Sequence, residues 1–363
     1  MNGIKIGISQ GDINGIGYEV IIKTLMDNRI IDNCIPIVYG SPKVAAYHRK
    51  ALNISNFSFN TIKSIDEITP RRAHILNCLD DEVRVELGKA TSLAGESSVL
   101  PLKMAADHLA DNKIDVLVTA PINKHTSQSE EFPFPGHTEF LKDRFGADEV
   151  LMIMVSENMK IGVVTGHIPL SEVSASLSME LILSKLKIMN NSLMVDFGIR
   201  KPRIAVLSVN PHAGDDGLIG REEEEIIVPA IEKAADKDIL AFGPYPSDGF
   251  FGAGSFSKFD GILAMYHDQG LIPFKALAFD TGVNFTAGLP VIRTSPNHGT
   301  AYDIAGKGEA SEQSFRSAMF LACDIYKNRK TYAEINGDPL KSHSLDTRSA
   351  TEDLPDEIEE GND

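Results

Sequence analysis

The 363-residue chain lacks any apolar run near the ~18 residues that a membrane-spanning helix requires. Its three cysteines, Cys34, Cys78 and Cys323, are far apart and form no Cys-x-x-Cys pair. That excludes a disulfide frame or a cysteine-zinc cluster and fits reduced thiols in a cytoplasmic protein. Positive charge is also short. With 35 Lys+Arg against 51 Asp+Glu the net charge is −16, the wrong sign for a nucleic-acid surface. The opening Met-Asn-Gly-Ile-Lys-Ile-Gly-Ile-Ser turns polar too early for a secretory signal, so a cytoplasmic location and no membrane partner are expected.

The acid excess is uneven. From Glu334 to Asp363 there are ten acids and two basic residues, a net of −8 and half the total. This stretch has little apolar content and is predicted to be a disordered acidic tail. The remaining chain is only mildly acidic, so any anionic ligand must be held by local cations.

Before the tail, short β-branched runs alternate with amphipathic stretches, the pattern of an α/β protein of about two domains. Strands are predicted at 4–9, 35–39, 116–119, 150–155, 161–165, 204–209, 239–242 and 261–265. Helices are predicted at 18–28, 42–52, 100–111, 179–190, 222–235 and 314–327. The polar residues with useful chemistry sit just past the strands: Thr165-Gly-His167, Asn210-Pro-His212 and Tyr266-His267-Asp268. In open α/β sheets the carboxyl ends of the strands form the ligand crevice.

His167, His212 and His267 are therefore the leading metal-ligand set, since neutral imidazoles suit zinc and related ions and three ligands leave a position open. A lone histidine after a strand is ordinarily a satisfied structural group; it is the shared placement of the three that singles them out. Asp248 and Asp268 could orient an imidazole or carry a proton, although Asp248 in Pro-Ser-Asp-Gly is equally a turn residue. Lys275, Arg293 and Lys124 are the cations for an anion. Lys275 has apolar sequence neighbours and is expected to need a partner. Pro135-Gly-His-Thr-Glu139 adds donors at a predicted helix start, where backbone N–H groups favour phosphate. The run Gly11-Asp-Ile-Asn-Gly-Ile-Gly17 is not G-x-G-x-x-G, which argues against a Rossmann turn. Glu222–Glu225 is read as the acidic first turn of a helix, without a catalytic role.

Several ordered segments together resemble the 4-hydroxythreonine-4-phosphate dehydrogenase family. They are Gly11-Asp12 to Gly17, Pro135-Gly-His-Thr-Glu-Phe140, Gly166-His-Ile-Pro-Leu170, Asn210-Pro-His-Ala-Gly214, Ala264-Met-Tyr-His-Asp-Gln-Gly270, Gly282 to Pro290 and Ile292-Arg-Thr-Ser295. The resemblance spans about residues 4 to 328. Ile13, Asn14, Tyr18 and Asn297 depart from the usual family residues, and none of these is a proposed ligand.

The resemblance implies a two-domain isocitrate/isopropylmalate-dehydrogenase-like α/β fold with a cleft between the domains. Residues 1–135 plus 270–330 would form the larger domain and 136–269 the second, in a homodimer with active sites at the interface. It implies a divalent metal on His167, His212 and His267, completed across the dimer: zinc first, with cobalt, magnesium or manganese as alternatives. His137, Thr138, Lys275, Asn284 and Arg293 would contact substrate, and His298, Gly299, Thr300, Ala301 and Asp303 would contact NAD, or NADP. The implied reaction is the NAD-dependent oxidation and decarboxylation of 4-phosphooxy-L-threonine. Lys275, Asp248 and Asp268 all stay open as the proton acceptor. The nearest rival is a dehydrogenase of a sugar-acid phosphate such as phosphoerythronate or phosphothreonate. A metal-dependent phosphatase is a further alternative, against which the dinucleotide-like loop 298–307 argues.

Overall fold

The computed structural model describes residues 3–80 and 83–337. Twelve strands form one sheet: β1 (Ile4–Ser9), β2 (Cys34–Gly40), β3 (Asn60–Ile62), β4 (His74–Asn77), β5 (Val116–Thr119), β6 (Leu151–Val155), β7 (Lys160–Thr165), β8 (Arg203–Leu207), β9 (Leu240–Tyr245), β10 (Gly261–Tyr266), β11 (Val283–Ala287) and β12 (Arg293–Pro296). Their spatial order is β3-β4-β2-β1-β5-β12-β11-β6-β7-β10-β8-β9. Both flanks are parallel, joined through helices as parallel pairing requires. The centre differs: β11 runs antiparallel to both β12 and β6, and β6 runs antiparallel to β7. The expected α/β class is the observed one.

Each of the eight predicted strands is present, within one or two residues at most ends. The four that the sequence does not announce are β3, β4, β11 and β12. Strand β12 reads Arg-Thr-Ser-Pro and β11 reads Val-Asn-Phe-Thr-Ala. Polar residues that face a ligand cleft interrupt the apolar run by which a buried strand is ordinarily found. The predicted helix 18–28 is two helices, Gly17–Leu25 and Asn28–Asn33, because the Asp27 side chain accepts from the backbone N–H of Arg29 and caps a new start. The helix expected from residue 100 begins at Ser92, capped by Thr91; Pro101 lies inside it rather than at its first turn.

The largest apolar cluster runs through both flanks of the sheet, from Ile6, Ile8 and Val38 to Ile204, Val206 and Leu263. Phe285 on β11 and Phe315 on the last helix, Gln313–Asn336, are fully buried in it, each worth roughly 2–3 kcal/mol by area. The same helix extends past its predicted end and takes in residues 334–336 of the expected tail. The rest of that tail, 338–363, lies outside the described residues. Because β11 pairs with β12 on one side and β6 on the other, the sheet is unbroken between the two segments expected to belong to different domains.

Candidate active site

Across the middle of the sheet lies a cleft of about 290 Å³. Met152 and Met154 of β6, Asn284 of β11 and Arg293 and Ser295 of β12 share one face by the two-residue period of a strand and line it together. Arg293 is 3% exposed. Its Nε and Nη2 donate to Thr119 Oγ1 at 3.0 and 2.7 Å, and Nη1 donates to Thr286 Oγ1 at 3.2 Å. Among the described residues no carboxylate lies within ion-pair distance of it; Glu139 approaches only closely enough to favour the charge. Burial pulls the guanidinium down to about 10, still a full cation at neutral pH. A buried charge ordinarily demands a counter-ion. Here threonine hydroxyls position the fork at the wall of the cleft.

His137 opens the helix His137–Arg144 beside Arg293. Its Nε2 is shut off from solvent and unpartnered, as are Nε2 of His298 and Oδ1 of Asn284. Burial first, then Arg293 and Lys124, hold His137 well below the usual histidine range. The ring is therefore neutral and can donate to or accept from a ligand. Lys124, Thr138, Glu139 and Lys275 also line the cleft. Lys275 is exposed on the helix His267–Ala278 at the open cleft, so it does not need the buried partner that its apolar sequence neighbours suggested.

Adjacent parallel strands β7 and β10 deliver His167 and His267 to the cleft edge, with ring centroids 5.6 Å apart. Burial chiefly, then Lys124 and His267, lower the His167 pKa and favour the neutral, ligating form. Asp268 Oδ1 lies 2.7 Å from His267 Nδ1, so with that nitrogen protonated Nε2 is free to ligate. A carboxylate behind an imidazole in this way is a recurrent support for a metal ligand. Gln269 holds the rim by accepting from Met265 N at 2.6 Å and donating to Ser208 O and Ser247 Oγ. The donor chemistry of His167 and His267 fits a divalent cation.

His212 does not join them within this subunit. Although β8 pairs with β10, His212 lies on the segment Pro211–Gly214 beyond β8, is exposed, and does not line the cleft. Among the described residues no three His, Cys, Asp or Glu side chains converge as a metal set. Asp248, on the short helix Ser247–Gly252, is exposed and also outside the cleft.

Of the segment expected to contact a dinucleotide, His298 and Gly299 line the cleft, whereas Thr300, Ala301 and Asp303 lie beyond it. The first turn of the chain holds this segment. Ile16 N donates to Thr300 O at 3.0 Å, Tyr302 OH donates to Asp12 Oδ2 at 2.6 Å, and a Cβ on Gly15 would lie 2.7 Å from Thr300 O. Glycine at 15 is thus required by close approach. Burial raises the pKa of Asp12 against the Tyr302 hydrogen bond.

The family model described as "Pyridoxal phosphate biosynthetic protein PdxA" matches residues 32–322. The chain belongs to the PdxA family. It is 53% identical over 354 residues to a 4-hydroxythreonine-4-phosphate dehydrogenase of Bacteroides thetaiotaomicron, covering 97% of each chain. It is 37% identical over 324 residues to an Oceanobacillus iheyensis relative provisionally named D-threonate 4-phosphate dehydrogenase, covering 88% of this chain and 97% of that one. A crystal structure of 4-hydroxythreonine-4-phosphate dehydrogenase from Klebsiella pneumoniae superposes with a TM-score of 0.77 at 32% identity, covering 90% of this chain and 98% of that one.

Within this PdxA chain, sequence reasoning located Arg293, Asn284, His137 and Thr138 but missed what holds them. Thr119 and Thr286 carried no local signal. Gln269 and Glu139 lie within the family-like segments, but nothing in the sequence assigns either a role. The run Glu222–Glu225 is not the plain first turn expected, for Glu223–Ile227 is a π-helix and Glu223 is buried.

Proposed function

We propose that this PdxA chain oxidises 4-phosphooxy-L-threonine with NAD and that the β-keto acid formed loses carbon dioxide, giving 3-amino-2-oxopropyl phosphate for pyridoxal phosphate synthesis. The observation that carries the reading is the buried Arg293 at the wall of the cleft, without an ion-pair partner among the described residues, which calls for an anion. A phosphate there meets the guanidinium, the His137 ring and the Thr138 hydroxyl, with Asn284 and Lys275 lining the same space. These contacts fix the substrate's orientation.

His167 and His267 are the residues of this subunit that would hold a divalent cation, zinc by preference, with His212 of a second copy completing the set. A cation held there would supply Lewis acidity to the substrate hydroxyl, and a dinucleotide held by the segment that begins at His298 and Gly299 would supply the hydride acceptor. Asp268 fixes the His267 ring. Of the three candidate proton acceptors Lys275 alone lines the cleft, and it takes the proton.

The dimer reading draws support from Leu170, 73% exposed, Leu218, 82% exposed, and Ile272, 66% exposed, on the segments that carry His167, His212 and His267. In this reading residues 1–135 with 270–330 form one domain, and 136–269 form the other and carry the interface. No described helix is long and apolar enough to cross a membrane, in keeping with the proposed cytoplasmic site of action.

The relative named for D-threonate 4-phosphate favours one second reading, a deamino substrate held by the same phosphate site. NADH formation with the amino and deamino phosphates, side by side, tests both. Turnover of the amino compound with little of the other is expected, the reverse result selects the second reading, and no turnover of either removes both. His212→Ala is expected to abolish metal-dependent NADH formation without unfolding the protein.

A further inference from the structure

His212 stands on a tongue, residues 210–220, whose backbone is unusual. His212, Ala213, Asp215 and Asp216 all have φ between 48° and 54°, the left-handed region, with Gly214 at 83° and Gly217 at 84°. Single residues visit this region at a cost and runs rarely do, so the surroundings must impose it. Hydrogen bonds inside the tongue, from Asp215 N to His212 O at 3.2 Å and from Ile219 N to Gly214 O at 3.0 Å, shape it but do not attach it to the protein body.

Attachment comes from Glu223. It is 3% exposed. Its Oε1 accepts from the backbone N–H groups of Val209 and Asn210, each at 2.8 Å, and its Oε2 accepts from Asn210 Nδ2 at 2.9 Å. The same Oε2 lies 2.8 Å from where a Cβ on Gly214 would stand, so glycine there lets the tongue's middle settle on the carboxylate. Asn210 Nδ2 also donates to Glu222 Oε2 at 2.7 Å, and it lies against Gly220 at the tongue's exit. Among the described residues no Lys or Arg pairs with Glu223; Arg221 turns instead to Glu224 and Glu225. One buried carboxylate thus holds the entry and the middle of the segment that presents His212.

We infer that Glu223 is a positioning residue for His212, fixing the tongue so that this imidazole reaches the metal set of a second copy of the chain. The inference rests on the reading that His212 is a metal ligand. Glu223 touches neither substrate nor metal, and its effect belongs to metal affinity.

The test is the zinc affinity of the full-length protein, measured by competition with a chromophoric chelator, alongside its affinity for inorganic phosphate. Glu223→Ala is expected to weaken zinc binding by roughly 10–100-fold, the usual effect of losing a support behind a ligand, and to leave phosphate binding unchanged. Glu223→Gln, whose carboxamide oxygen still accepts both backbone N–H groups but whose NH2 would face Asn210 Nδ2, is expected to regain only part of the zinc affinity. His212→Ala separates the two readings: unchanged zinc affinity in that variant removes His212 from the site and the role of Glu223 with it. If His212→Ala loses zinc while Glu223→Ala keeps it, or if Glu223→Ala weakens zinc and phosphate alike, the positioning role is overturned and His212 stands. Should Glu223→Ala not fold, Asn210→Ala removes the side-chain bond from the tongue's side. Loss of zinc with phosphate retained supports the role, and unchanged zinc affinity overturns it.

Discussion

Arg293 shows how a single residue can carry the chemistry while its supports stay out of sight. The charge is buried, and Thr119 Oγ1 takes two of its N–H groups. Thr119→Val keeps the shape of the side chain and leaves those donors unmet. We expect a stability loss of about 1–3 kcal/mol and weaker phosphate binding, read by urea unfolding and by phosphate titration; an unchanged midpoint would show that water replaces the threonine. The arginine itself was legible, because Arg-Thr-Ser is a recognisable block with a cation in it. Thr119 was not, because it lies 174 positions away and only the pairing of β5 with β12 brings it near. Lys275 shows the opposite failure. Apolar neighbours in sequence suggested a buried partner, whereas the lysine stands exposed at the open cleft.

At the scale of elements, the site depends on caps and seams. Thr91 caps the helix Ser92–Ala110 by accepting from Ala94 N at 3.2 Å, and it also accepts from Asn14 Nδ2 at 3.1 Å. Asn14 belongs to the turn under the segment 298–303. Thr91→Ala is therefore expected to cost about 1–2 kcal/mol, near the upper range for a cap, with Thr91→Ser restoring most of it in denaturant titration. A loss no larger than a few tenths would mean that the cap is redundant. The flanking parallel strands were legible from their β-branched runs. Strands β11 and β12 were not, since the residues that face the cleft are polar and break that signal. The tongue around His212 was equally hidden, for its left-handed backbone depends on a carboxylate thirteen residues beyond its start at Asn210 and not on a local turn pattern.

The molecule as a whole buries histidines without charging them. Burial lowers the pKa of His48, His137 and His298 from the usual 6.5 of an exposed histidine. Below that pH the unfolded chain binds protons that the folded chain refuses, so stability falls as pH falls from about 6.5. Asp12, raised by burial, acts with the opposite sign over a window beginning at 3.8, and three histidines outweigh it nearer neutrality. The unfolding free energy is expected to be lower at about pH 5.5 than at about pH 7.5; a flat profile would mean that the rings are accessible to protons. At this same scale the cleft joins β5, β12, β11, β6, β7 and β10 around one buried cation. The most direct measurement is NADH formation by the zinc-loaded protein from 4-phosphooxy-threonine and from unphosphorylated 4-hydroxythreonine. An anion seated on Arg293 predicts that removing the phosphate lowers kcat/KM by at least roughly 100-fold, the scale of an unpaired buried charge. Equal turnover of the two compounds would contradict it.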